Sequence, residues 1–432
     1  MLDAAARREL LPSSALPMAY FACAHAGLAL ALAVLVVRPD IPGGFFFHQR
    51  MVALVHLVTL AWLSGSILGA FYIVAPLALR LPMPVRRADW AAWAAFELGT
   101  VGMVAHFWIG SYDGMAWSAG LVVSAIGWVT ARTWRNLPRA VAPWGVKLHV
   151  ALAFFNITSA ALVGILMGLD RSRSFLGITP LVSAYAHAHL AAVGWVTMMV
   201  VGLSYRLIPM ILPAAMPTGR WLALSAVLIE TGLVVLFVAI VTRAGWLAIG
   251  SLLITAGLAS FVVQIRAAVR HRMPRPPALP SRDWSTWQTH AALLWLVVAT
   301  GLGLALSFGV PGEWSIRMIW LYGVAGLVGF LAQIVVGMQG RLVPLYAWYR
   351  AFAREGAAPP RGANVLPSAS YARAIFLAWA PGVPMLAAGL AFEIPSWIAI
   401  SAALLLGGAC ISAAYLAYLV RAPWRPIVSK EQ

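Results

Sequence analysis

The residues with the clearest chemical potential are histidines set into apolar sequence. The stretch AHAHLAAVGWVTMMVVGLSYRLIPM, residues 186–210, opens with His187 and His189. Counting from His189, Trp195 follows after six residues, Gly202 after thirteen, Tyr205 after sixteen and Pro209 after twenty. The segment that begins at His56 places Trp62, Gly69, Tyr72 and Pro76 at the same four distances. A third segment keeps Gly337 and Pro344 in frame with Val324, and Phe330 holds the aromatic position. There the imidazole is absent, and Tyr322 stands in the place of His187.

Neutral imidazole is a common iron ligand, and a heme takes one or two such ligands from helices across a pocket. Residues two apart on a helix differ in direction by about 200°. His187 and His189 therefore point to opposite flanks and cannot jointly grip one ion. They suit an axial ligand for each of two hemes, or one heme and one other site. His56 and His189 are the leading axial ligands on this reading, with His187 at a second site and His106 a further metal-ligand candidate. Trp62 and Trp195 are candidates to lean on a porphyrin face. Gly69, Gly202 and Gly337 let a flat macrocycle or a neighbouring helix approach the backbone.

His25, His149 and His290 open the first helix of each repeat and read first as ordinary core histidines. His48 sits at a span boundary and His271 in a solvated loop. Glu97 and Glu230 lie inside apolar spans, where a carboxyl group is protonated or paired. They are candidates for a proton path, with Asn156, Thr158, Gln264, Gln333 and Gln339 as the nearest polar residues in kind. Arg206 and Arg341 close two of the repeated helices and read as anchors.

The elements that must position these groups are membrane-spanning helices. The chain has 432 residues, 62% hydrophobic and 10% charged, where soluble domains hold about 25% charged residues. Apolar runs of spanning length recur twelve times: about 16–37, 50–79, 90–110, 115–133, 144–168, 181–213, 220–241, 245–268, 287–308, 315–347, 374–392 and 395–420. The repeated histidine segments are the second, sixth and tenth. The expected fold is all-α, a polytopic membrane protein of twelve helices in three four-helix pseudo-repeats. The repeats cover about 16–134, 144–268 and 287–420 of a single membrane domain, 1–432.

The net charge of +17 is distributed one-sidedly. Of 30 Lys and Arg, 24 fall on the side of both termini and six on the other: Arg38, Arg50, Arg171, Arg173, Arg243 and Arg317. This bias places both termini in the cytoplasm of a bacterial-type inner membrane. It assigns the basic loops to anionic membrane lipid and argues against nucleic acid. The first span reads as retained, not as a cleaved signal peptide. His56, His187, His189 and His106 then share the outer half of the bilayer, and His25, His149 and His290 lie nearer the cytoplasm. Cys23 and Cys410 have no metal-type spacing, and no C-x-x-C-H motif exists, so any heme is held non-covalently.

The run HAHLAAVGWVTMMVVGLSYRLIP resembles the tenth helix of the large subunit of heme–copper oxidases and nitric oxide reductases. There a His-x-His pair followed by Gly-Trp supplies axial ligands to two hemes. His56 with its Gly, Tyr and Pro is similar to the second helix of that family, which supplies the other low-spin heme ligand. The family also has twelve spans, cytoplasmic termini and three four-helix arcs. The pattern departs in register: His-x-His stands in the sixth span here, not the tenth. The family's copper ligands, a histidine on the sixth helix and a His-His pair on the seventh, have no counterpart, and no His-His occurs in the chain. The NnrS-type membrane proteins resemble the same scaffold.

The resemblance implies a heme b-binding membrane protein, with one or two hemes and a copper or other second metal. It would act in electron transfer or react with a small diatomic such as nitric oxide. As an oxidoreductase it would be closer to nitric oxide reduction than to dioxygen reduction. Electrons would come from a quinol or cytochrome donor, and partner subunits are expected. Two other readings stay open: a cofactor-free transporter or structural subunit, since transporters also carry internal repeats, and an oxidase assembly or heme-handling factor.

Overall fold

The computed structural model describes residues 15–43, 45–211, 214–272, 274, 283–310, 312–355 and 368–421. Arg7, Arg8, Arg275, Arg282, Arg361, Arg425 and Lys430 of the charge count lie outside them, as do parts of the polar stretches 269–286 and 354–372. Secondary structure in the described residues is helical throughout. Twelve long helices follow in order: α1 (Ala15–Val37), α2 (Gln49–Ala78), α3 (Arg87–Ile109), α4 (Tyr112–Asn136), α5 (Trp144–Arg173) and α6 (Pro180–Met210). They continue with α7 (Trp221–Thr242), α8 (Leu247–Arg270), α9 (Trp284–Ser307), α10 (Glu313–Ala347), α11 (Ala369–Ala391) and α12 (Pro395–Arg421).

Eleven of these are long and apolar enough to cross a membrane. The remaining one, α3, has the length but carries Arg87, Asp89 and Glu97. The chain is a polytopic membrane protein, because so many apolar helices leave no polar surface for water to solvate. Large side chains face outward at the helix ends, including Trp117, Trp314 and Trp397 at one end and Trp144, Trp221 and Trp287 at the other. Tryptophan favours the two membrane–water boundaries for its apolar body and polar N–H.

Three helices form the centre. The apolar windows of α2, α6 and α10 are each 61% buried, against 50% or less for the other eight spans. Around them α4 packs on α5, α8 on α9, and α12 returns to α1, closing a ring. Each central helix packs on the first helix of its own group of four: α2 on α1, α6 on α5, α10 on α9.

The central helices share a local distortion. An eight-residue π-helical stretch replaces α-helix at Leu57–Ser64, at Leu190–Thr197 and at Ala325–Ala332. Each begins one residue after His56, His189 or Val324, so all three sit in one sequence frame. π-Helix is rare and recurs at functional sites. A hydroxyl caps the widened turn twice in matched positions: Ser64 Oγ donates to the Thr59 carbonyl and Thr197 Oγ to the Ala192 carbonyl, both at 2.9 Å. At the third matched position stands Ala332. The three π stretches touch one another on the central axis.

Candidate cofactor site

Above the π stretches the central helices part to form a cavity of about 1490 Å³. That exceeds the roughly 300–1,000 Å³ of ordinary small-molecule pockets. Its walls are mainly aliphatic and aromatic, and His56, His187, His189 and Trp195 line it. Arg38, Asp40, Arg50, Asp170 and Arg171 also border it. Arg38 binds Asp40 through two hydrogen bonds, Nε to Oδ1 at 2.9 Å and Nη2 to Oδ2 at 2.7 Å. These bonds hold the Asp40 carboxyl below its usual range.

Two of the three histidines are oriented alike. His56 Nδ1 donates to the Val52 carbonyl and His189 Nδ1 to the Tyr185 carbonyl, each at 2.8 Å. A carbonyl only accepts, so the proton sits on Nδ1, and in the neutral ring Nε2 keeps its lone pair. Histidine metal ligands are held this way, with one ring N–H tied to a carbonyl. His187 breaks the pattern of bonding the carbonyl four residues back. Its Nδ1 is buried without a well-formed hydrogen bond, and the ring interacts only weakly with the Ala160 carbonyl of α5. Gly164 of α5 lies beside the same ring edge.

The rings pair across helices in a cyclic order. His56 of α2 and His187 of α6 are nearly parallel, with centroids 6.4 Å apart and an interplanar angle of 20°. His189 of α6 and Tyr322 of α10 repeat this at 6.1 Å and 23°. Tyr322 donates its hydroxyl to His189 Nε2 at 3.2 Å. His187 and His189 do serve opposite flanks. The neighbour of His56 is His187, a pairing that the sequence left open. The remaining matched positions are Val324 of α10 and Leu54 of α2, both buried and both apolar.

The other anticipated residues lie elsewhere. His106 bonds the Gly102 carbonyl at 2.7 Å and packs on Gly114 and Ser118 of α4, away from the cavity. Of the two uses foreseen for the glycines, close helix approach is what the geometry has. Gly69 abuts Tyr20 and Phe21 of α1, Gly202 abuts His149 of α5, and Gly337 abuts Gln288 and Thr289 of α9. Trp62 stands edge-on to His25, with ring centroids 4.8 Å apart. Trp195, unlike Trp62, lines the cavity, and its Nε1 donates to Ser64 Oγ at 3.2 Å.

His25 and His149 are satisfied in the core. His149 bonds the Gly145 carbonyl and Ser225, and Ser225 also meets Tyr205. His290 is exposed on α9. Glu230 accepts from Asn156 Nδ2 at 2.7 Å, and Asn156 packs against Gly194 in the π stretch of α6. Glu97 Oε1 is buried without a partner. Arg206 reaches the Ala78 carbonyl of α2, and Arg341 pairs with Asp283. Asp89 gathers Tyr72, Trp128, Arg132 and the Arg86 backbone N–H, and is fully buried. Nothing in the sequence reading singled it out, although an acid at the third position of a helix signals such a capping role. Among the described residues no three of His, Cys, Asp and Glu gather closely enough to hold a metal ion.

No protein-family model matches the chain, and no curated protein is similar enough to match it.

Proposed function

We propose that the protein binds a heme b, or another group presenting a metal with two opposed open positions, between His56 and His187. The observation that carries this is the His56–His187 pair: near-parallel rings, 6.4 Å between centroids, facing a large apolar cavity. His56 and His187 would hold such a group from two neighbouring helices, α2 and α6, since both rings line the same cavity. Both Nε2 atoms lack hydrogen-bond partners among the described residues, while the Nδ1 side of each ring faces backbone. The donor set therefore fits the group.

When held by both imidazoles, a heme would supply one-electron redox chemistry; diatomic binding would need one of the two to be given up. The chain's own contribution is orientation and exclusion of water. Val52 fixes the His56 tautomer, α5 backs His187, and the aliphatic lining keeps the site dry. His189 carries a second Nε2 lone pair, which Tyr322 covers. His189 would hold a second group there if Tyr322 were displaced. Electron transfer or reaction with a small molecule such as nitric oxide is the activity this supports, in the cytoplasmic membrane of a bacterial-type cell. A quinol or cytochrome donor would supply the electrons. The shared frame of the three π stretches and the cyclic ring pairs support three pseudo-repeats about a central axis. The charge bias supports cytoplasmic termini and an outer-half position for the cavity.

The test is a reduced-minus-oxidised optical spectrum of the purified protein from heme-replete cells, with and without nitric oxide or carbon monoxide. The expected result is b-type bands that are lost in His56→Ala and in His187→Ala. A colourless wild-type protein ends the heme reading. Loss in His189→Ala with retention in His187→Ala would reassign the pair.

A further inference from the structure

A second, small void lies between α9, α10, α11 and α12, far from the histidine pair in sequence and in lining. Its volume is about 20 Å³. A cavity needs roughly 10–15 Å³ to hold one water, and the water needs two to four polar partners. Ser285 and Gln288 of α9 and Ser412 of α12 line it. Gln288 is 2% exposed, and neither atom of its amide has a hydrogen-bond partner in the protein. Ser285 Oγ is likewise buried and unpartnered. Leaving such groups unmatched in a protein interior is unfavourable, whereas a water that bonds them is not.

Ser412 connects this void to α1. Its hydroxyl lies 3.3 Å from His25 Nε2. His25 Nδ1 is 2.8 Å from the Phe21 carbonyl and must donate to it, so Nε2 accepts and Ser412 donates. That leaves the Ser412 oxygen open to a donor from the void. The other hydroxyl in the wall, Tyr415, is already engaged by the Ser368 N–H at 2.8 Å.

We infer that the void between α9 and α12 is a buried water site, and that its water links Gln288 and Ser285 through Ser412 to His25. The link crosses the seam where the ring of helices closes on itself, and it delivers a hydrogen-bonded path to the imidazole beneath Trp62. This site is independent of any cofactor in the large cavity.

X-ray hydroxyl-radical footprinting of the full-length purified protein tests it, since a bound water generates radicals beside residues that bulk solvent cannot reach. Tyr415 is 4% exposed, so its oxidation would report the internal water. The expected result is rapid labelling of Tyr415 in the wild type and loss of that labelling in Gln288→Leu. Ser285→Ala serves as a second variant if Gln288→Leu fails to fold, with reduced labelling expected. An unlabelled Tyr415 in the wild type, or labelling unchanged by both substitutions, overturns the assignment.

Discussion

The difference between His187 and His189 is one of partners. Both are on one helix and within three residues, yet one ring faces a second imidazole and the other a phenol. The opposed directions were legible from helical geometry alone. The pairing was not, because it depends on which helices neighbour α6 on each flank. The frame of the repeat held a clue: Tyr322 occupies in α10 the position of His187 in α6, so the partner of His189 could have been read as Tyr322. The Tyr322 hydroxyl is worth about 0.6–1.7 kcal/mol as an interhelical hydrogen bond inside a membrane protein. Tyr322→Phe should lower thermal stability by no more than that amount in a denaturation experiment. Any b-type spectrum from the proposed His56–His187 site should be unchanged, while His189 Nε2 becomes free to take an added ligand such as imidazole or cyanide. A spectrum lost in Tyr322→Phe would place the heme on the other pair.

At the scale of the element, each π stretch follows directly on His56, His189 or Val324 in its central helix. Their apolar sequences, LVTLAWLS, LAAVGWVT and AGLVGFLA, carry no period that separates π-helix from α-helix. The recurrence of small residues and hydroxyls was visible, but not its meaning. Ser64 serves twice: it donates to the Thr59 carbonyl and accepts from Trp195 Nε1 of α6. Thr197 serves only the turn of its own helix. Ser64→Ala should therefore cost about 1–3 kcal/mol, because it strands a buried indole N–H as well as a turn. Thr197→Ala should cost about 0.5–1.5 kcal/mol. Equal losses of unfolding free energy in the two variants would contradict this division of labour. The glycine positions were read for either of two uses, and the structure gives them to helix packing. At Gly202 a side chain would collide with the Cβ of His149.

For the whole molecule, the order of the helices followed from runs of apolar residues: twelve long helices stand where twelve runs were read, and eleven of them are apolar enough to cross a membrane. Span ends shifted by a few residues, most of all at α10, whose apolar span ends at Ala347 while the helix continues to Glu355. What composition could not supply were contacts between residues far apart in sequence. Asp89 and Arg132 are 43 residues apart and form a buried ion pair joining α3 to α4, with Tyr72 of α2 bonded to the same carboxylate. Arg132 also donates to the Pro84 carbonyl, which fixes the α2–α3 connection. Removing one member leaves the other charge buried and uncompensated, a loss of about 3–5 kcal/mol. Asp89→Ala should reduce folded yield and thermal stability accordingly, and Arg132→Met in the same background should recover part of the loss. A double variant no more stable than Asp89→Ala would argue against an electrostatic cause.

The cyclic ring of pairs around the axis has one more implication. Three equivalent seats are furnished in three ways: two imidazoles, an imidazole with a phenol, and a valine position matched by a leucine. The same rotation explains an otherwise odd orphan. Trp195 finds Ser64 on the preceding central helix, but for Trp62 the corresponding residue is Ala332, and its indole N–H has no partner. The molecule thus holds, within one chain, a doubly equipped seat, a half-equipped seat and a blank. A group that needs two facing imidazoles therefore has one such place among these three, and a group that needs a single imidazole has two.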